Sequence, residues 1–84
     1  MTTHSTFTLT ISRVDEQLFN GAAHSVTIPA VKGQLTILAH HAPIITLLEK
    51  GIITVRSESG EQTFSIEQGM CEISNNQVTV LVQL

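Results

Sequence analysis

The hydrophobic and polar positions of the chain alternate in short runs. Phe7, Leu9 and Ile11 fall on one side of a period-two pattern, with Thr8 and Thr10 on the other, which predicts a half-buried strand. A polar excursion from Arg13 to Gln17 follows. Leu18 and Phe19 then precede Asn20-Gly21, a dipeptide that predicts a turn, with Phe19 as the core anchor closing the first loop. Val26 and Ile28 predict a second strand, which Pro29 ends or confines to a sheet edge. Gly33 opens another turn, and Leu35, Ile37 and Leu38 form a short apolar strand. That strand runs out to a surface loop holding His40, His41, Ala42 and Pro43.

The run from Ile44 to Glu49 fits one or two helical turns started by Pro43, or a strand ended by Gly51. So short a segment has no periodicity to decide between them. Beyond it the alternation returns. Ile53 and Val55 predict a strand out, Ser59-Gly60 a turn, and Phe64 and Ile66 the strand back. Gln68-Gly69 predicts a further turn, and Asn75-Asn76 a tight hairpin with positive φ angles. In the last strand Val78, Val80 and Val82 face one way and Thr79, Leu81 and Gln83 the other, a strand apolar on nearly both sides. Turn signals at Gly21, Gly33, Pro43, Gly51, Gly60, Gly69 and Asn76 recur every 7–12 residues or so, which predicts an all-β sandwich or barrel.

Composition narrows the function. The 84 residues suffice for one small domain, and 42% hydrophobic residues suffice for a core. A charged fraction of only 13% hints that a partner covers part of the surface. Net charge is −3, and Arg13, Lys32, Lys50 and Arg56 are scattered, without Trp or Tyr. Nucleic-acid binding, which needs clustered cations and stacking rings, is set aside. Cys71 is alone, which excludes an internal disulfide, and its apolar neighbours Met70 and Ile73 predict a buried thiol in a reducing cytosol. The first residues lack the basic and apolar regions of a signal peptide, and no stretch approaches the ~18 apolar residues of a membrane span.

Catalytic chemistry finds few candidates. His4, His24, His40, His41, Cys71, Asp15 and six glutamates are available. On a strand, His40 and His41 would point to opposite faces, and His24 with His41 gives two imidazoles without a third ligand. No phosphate-cradling glycine loop is present. The residues alone thus describe a small non-catalytic β domain whose best functional surface is the loop at His40 to Pro43, with no cofactor and no metal.

Residues 32–43, KGQLTILAHHAP, also resemble a signature of the ε subunit of F-type ATP synthases, called δ in mitochondria. That signature, G-x-L-G-I-L-P-x-H-A-P-L, is met by Gly33, Leu35, Ile37, Leu38, His41, Ala42 and Pro43, with Ile44 for the last leucine. Thr36 replaces its inner glycine and Ala39 its proline. Leu9-Thr10-Ile11-Ser12 with Leu18-Phe19-Asn20-Gly21 resembles the family's first strand and its F-x-G element, and Val26 to Ala30 the strand before the signature. Leu48 to Ile53 resembles L-x-x-G-x-I. Gly69, Glu72 and Ile73, then Asn76 and Val78 to Leu81, resemble the G-x-x-E-V…N-x-V-T-V-L ending.

The resemblance spans residues 1–84 as one domain and implies a sandwich of two roughly five-stranded sheets. It implies a non-catalytic central-stalk subunit that couples the catalytic head to the c-ring through the γ subunit. Such a subunit is peripheral, on the cytoplasmic face of the inner, energy-coupling membrane. By the same resemblance His41, Pro43 and Thr46 lie on the γ-facing side, with Ile44 beside them. The turn of Lys32, Gly33 and Gln34 approaches the c-ring, with Gln34 where the family commonly has an acidic residue. Family members continue into an inhibitory two-helix hairpin; Leu84 falls where it would begin, so an arm-less rotor subunit is expected. The competing expectation is a stand-alone β-sandwich module that binds a protein or a small ligand.

Overall fold

The computed structural model describes residues 5–84, which form nine strands: β1 Phe7–Arg13, β2 Glu16–Ala23, β3 Ser25–Ala30, β4 Gly33–Leu38, β5 Ile44–Leu48, β6 Gly51–Ser57, β7 Gly60–Ile66, β8 Gln68–Ser74 and β9 Gln77–Gln83. Two layers result, β2-β1-β9-β8-β5 and β4-β3-β6-β7. The sandwich is therefore five strands over four. The layers belong to one curled sheet, because β3 pairs with β6 through Ser25, Val26 and Thr27 and then with β5 at Ala30 and Leu48. All neighbours run antiparallel except β1 and β9, which are parallel.

Period-two alternation sorts the side chains. Leu9 and Ile11 of β1, Val26 and Ile28 of β3, Ile53 and Val55 of β6 and Val80 of β9 are fully buried in a single core. Leu18 and Phe19 pack against it from β2. On the outer face of the four-stranded layer, register places Thr36, Thr27, Thr54 and Thr63 side by side across β4, β3, β6 and β7. The Thr27 and Thr36 hydroxyls lie 3.0 Å apart, which satisfies the one buried polar side chain described.

Several turn signals act differently in the fold. Asn20-Gly21 does not turn; β2 runs through it in register with Thr10 and Leu9, and the reversal falls earlier, at Val14 and Asp15. Residues 44–48 are a strand rather than helical turns, because β8 supplies a full antiparallel partner. The Gln68-Gly69 turn shifts back to Glu67, whose N–H donates to the Gln83 carbonyl at 2.7 Å, and Gly69 sits inside β8. Pro29 neither ends β3 nor marks an edge. Its carbonyl accepts the Glu49 N–H at 2.9 Å, and a residue's amide points to the same side as its carbonyl. The missing donor thus falls in the gap where β3 leaves β6 for β5. Asn75 and Asn76 do form the tight hairpin, with φ of 52° and 59°.

Inside β8, glycine matters for room rather than for φ. A Cβ on Gly69 would lie 2.5 Å from the Leu81 carbonyl oxygen, which is backbone and held by the β8–β9 ladder. A Cβ on Gly21 would meet nothing nearer than the Phe19 ring at 3.9 Å. Gly69→Ala is therefore expected to lower unfolding free energy by about 2–3 kcal/mol, as overpacking does. Gly21→Ala should change it by less than about 0.5 kcal/mol. Urea midpoints of the two variants check this; a large loss in Gly21→Ala would restore a turn at that position.

Candidate functional site

Catalytic convergence is missing among the described residues: no three His, Cys, Asp or Glu side chains approach closely enough to share a metal ion. His4 lies outside the described residues. His24 occupies the bend between β2 and β3, where its N–H donates to the Arg56 carbonyl at 2.8 Å. Cys71 is fully buried, and burial pushes its thiol from an ordinary 9.0 up to about 11, so at neutral pH it is a packed thiol and no nucleophile. Arg13 pairs with Asp15 and Arg56 with Glu61, both on the surface and both at 3.2 Å.

The histidine loop, residues 39–43, joins β4 to β5 at one end of the sandwich. His40 has φ of 64°, in the left-handed region that few non-glycine residues adopt, and its N–H donates to Asn76 Oδ1 at 2.7 Å. The two imidazoles therefore sit in a turn and not on opposite faces of a strand. His41 is half-buried, its Nδ1 2.6 Å from the Ala42 carbonyl, which selects the tautomer with the proton on Nδ1. Pro43 is exposed and fixes the entry into β5.

Along β5, alternation assigns the faces. Ile44, Thr46 and Leu48 turn towards the interior, Ile44 packing on the core, while Ile45 and Leu47 point outwards. The sequence-predicted patch is thus split by facing: Pro43 is exposed and His41 half-buried in the loop, while Ile44 and Thr46, also half-buried, share the inward side of β5. Lys32, Gly33 and Gln34 sit in the β3–β4 turn and the start of β4, at the other end of that strand from the histidine loop. All three are exposed, and Gly33 has φ of 130°. The Val31 N–H donates to the Leu47 carbonyl at 2.9 Å, holding that turn against β5.

What joins the two ends is an apolar face that residue-by-residue reading missed. Leu47, Met70 and Leu81 form one cross-strand row over β5, β8 and β9, exposed by 61%, 39% and 48%. Ile45 extends the row towards Pro43. Val14, Val31 and Leu84 ring its other end, where an open groove of about 950 Å³ lies. Its signal was in the pattern: β5 is apolar at every position but Thr46, and β9 carries Leu81 among the polar residues of its outward face, more than a single core can cover.

The chain matches, over residues 6–84, the family model described as the ATP synthase, Delta/Epsilon chain, beta-sandwich domain. It is 39% identical over 75 residues to the ATP synthase epsilon chain of Synechococcus sp. (strain PCC 6716), covering 89% of this chain and 54% of that one. It is 38% identical over 77 residues to the epsilon chain of Cyanothece sp. (strain PCC 7425), covering 92% and 56%. It thus spans little more than half the length of these relatives. Among solved structures it superposes on a chain of the Euglena gracilis mitochondrial ATP synthase, OSCP/F1/c-ring, with a TM-score of 0.85 and 26% identity, covering 93% of this chain and 51% of that one. A chain of the Tetrahymena thermophila mitochondrial ATP synthase central stalk/c-ring shares the fold at a TM-score of 0.80 and 14% identity, covering 92% and 63%.

Two outcomes follow from these placements. Ile44→Asp should destabilise the fold by about 2–4 kcal/mol, since it puts a charge against the core, whereas Ile45→Asp should stay within about 0.5 kcal/mol. Equal urea midpoints for the two would contradict the assigned faces. Stability should also fall with pH through Cys71. The unfolded thiol ionises first, so its contribution is intact below pH 9.0 and is lost between there and about 11. Cys71→Ala should flatten that part of the profile.

Proposed function

The chain belongs to the delta/epsilon chain family of ATP synthases, and we propose that it works there as a non-catalytic rotor element. It sits in the central stalk, between the γ subunit and the c-ring. The outer face of its five-stranded layer lies on γ, from His41 and Pro43 at one end through Ile45 and Leu47 to Met70 and Leu81. The opposite end, with Lys32, Gly33 and Gln34, meets polar loops of the c-ring. Gln34 is neutral and contributes hydrogen bonds there, which leaves Lys32 as the charged group of the contact. The assembly is peripheral, on the membrane face that carries the catalytic head. Among the described residues no helix is long and apolar enough to cross a membrane.

One observation carries this reading: a chain matched by the family model along nearly its whole length leaves an apolar row uncovered on one outer face. Covering a half-exposed leucine or methionine stabilises an interface by about 1 kcal/mol. A row of them flanked by a rigid proline supports a stable seat. A stiff β-sandwich suits a part that must move with γ as one body. The family match favours this role over a stand-alone interaction module.

The test is a titration with γ. Leu47→Asp with Leu81→Asp places two charges in the row while leaving the core untouched, and should weaken γ binding by about 2–4 kcal/mol. Thr63→Asp, on the outer face of the other layer, should leave it unchanged. Full affinity in the double variant, with urea stability retained, would refute the seat.

A further inference from the structure

Asn76 makes more hydrogen bonds than its turn requires. It is the second central residue of the β8–β9 hairpin at φ of 59°, a place that glycine fills without steric cost. Its side chain instead reaches two other parts of the chain. Oδ1 accepts the His40 N–H at 2.7 Å, and Nδ2 donates to the Thr6 carbonyl at 2.9 Å. Its own carbonyl accepts the Thr8 N–H at 3.2 Å. One residue thus ties the start of β1, the β4–β5 loop and the β8–β9 hairpin together.

The bond to His40 falls where the loop needs holding. A histidine at φ of 64° sits in a left-handed conformation that costs about 1–2 kcal/mol, so the free loop would abandon it. Once His40 relaxes, the chain reaches His41 and Pro43 from another direction and the corner moves. An asparagine amide is suited to the task because it donates and accepts at once. Aspartate could accept from His40 but would set its carboxylate against the Thr6 carbonyl. Glycine would keep the turn and lose both bonds.

We propose that Asn76 is the positioning residue for the partner-facing corner. Its side chain, 36 positions away in sequence, fixes the conformation of residues 39–43 and so the affinity for γ. The proposal rests on the reading of that corner given above. Asn76→Gly preserves the hairpin and removes the amide, which separates positioning from folding.

Amide hydrogen exchange and γ titration together test it. In Asn76→Gly the His40 amide should exchange at least about tenfold faster, while Val80 in the core keeps its protection, and γ affinity should fall about five- to tenfold. Asn76→Asp retains the acceptor and should keep His40 protection and most of the affinity. His41→Ala reads the corner directly and should weaken γ binding. Unchanged His40 protection in Asn76→Gly would overturn the proposal, as would full γ affinity in Asn76→Gly beside weakened binding in His41→Ala. Full affinity in His41→Ala would instead overturn the corner reading on which the proposal rests.

Discussion

Strand β3 is shared between two partners on one side, and the sandwich depends on that sharing. Its first half pairs with β6 and its last residue with β5, so one hydrogen-bonded sheet bends over and its inner faces meet. A strand changing partners leaves a gap in the ladder, and any residue carrying an N–H there would bring a donor with nowhere to go. Pro29 occupies the gap and has none. Its ring leaves no room opposite: a Cβ on Gly51 would lie 2.7 Å from the Pro29 Cβ. Proline and glycine, read from sequence as breakers, here allow a single sheet to make both layers.

The second constraint is a surplus of apolar positions. A strand with one face on a core and one in water needs apolar residues at every second place, and β1 and β7 keep close to that rule. Strands β5, β8 and β9 exceed it at Leu47, Met70 and Leu81. Because these positions are in register, the excess gathers into one row. The same row meets the β3–β4 turn at Val31 and points at its far end to Pro43 through Ile45. The loop, the row and the turn are thus one surface organised along β5.

Much of this was legible, for identifiable reasons. Alternation located β1, β6, β7 and β9, since side-chain period is a local property of a strand, and the paired asparagines marked their hairpin. Asn20-Gly21 misled because turn propensity is weak beside the pairing that β1 offers: Leu9 and Thr10 hold those residues extended. Residues 44–48 stayed undecided because the partner that decides, β8, lies far along the chain. For the site, the resemblance pointed to His41, Pro43, Ile44 and Thr46 together but could not say that Ile44 and Thr46 turn inward. Facing is set by the register of β5 on β8. Nor could it expose the link from Asn76 to His40, a contact between turns that no spacing rule encodes.

The parallel pairing of β1 with β9 has a consequence for the order of assembly. Strand β1 meets β2 across a two-residue turn, so that hairpin can form as soon as it is made. Its other edge belongs to a strand about 70 residues further on, where Leu9 meets Val78 and Ile11 meets Val80. Until β9 arrives the nascent hairpin shows an open edge and the uncovered side chains of Phe7, Leu9 and Ile11. That is the arrangement most prone to pair with a neighbouring chain. The last strand therefore closes that edge, and the interval before it is made is when the edge stands open.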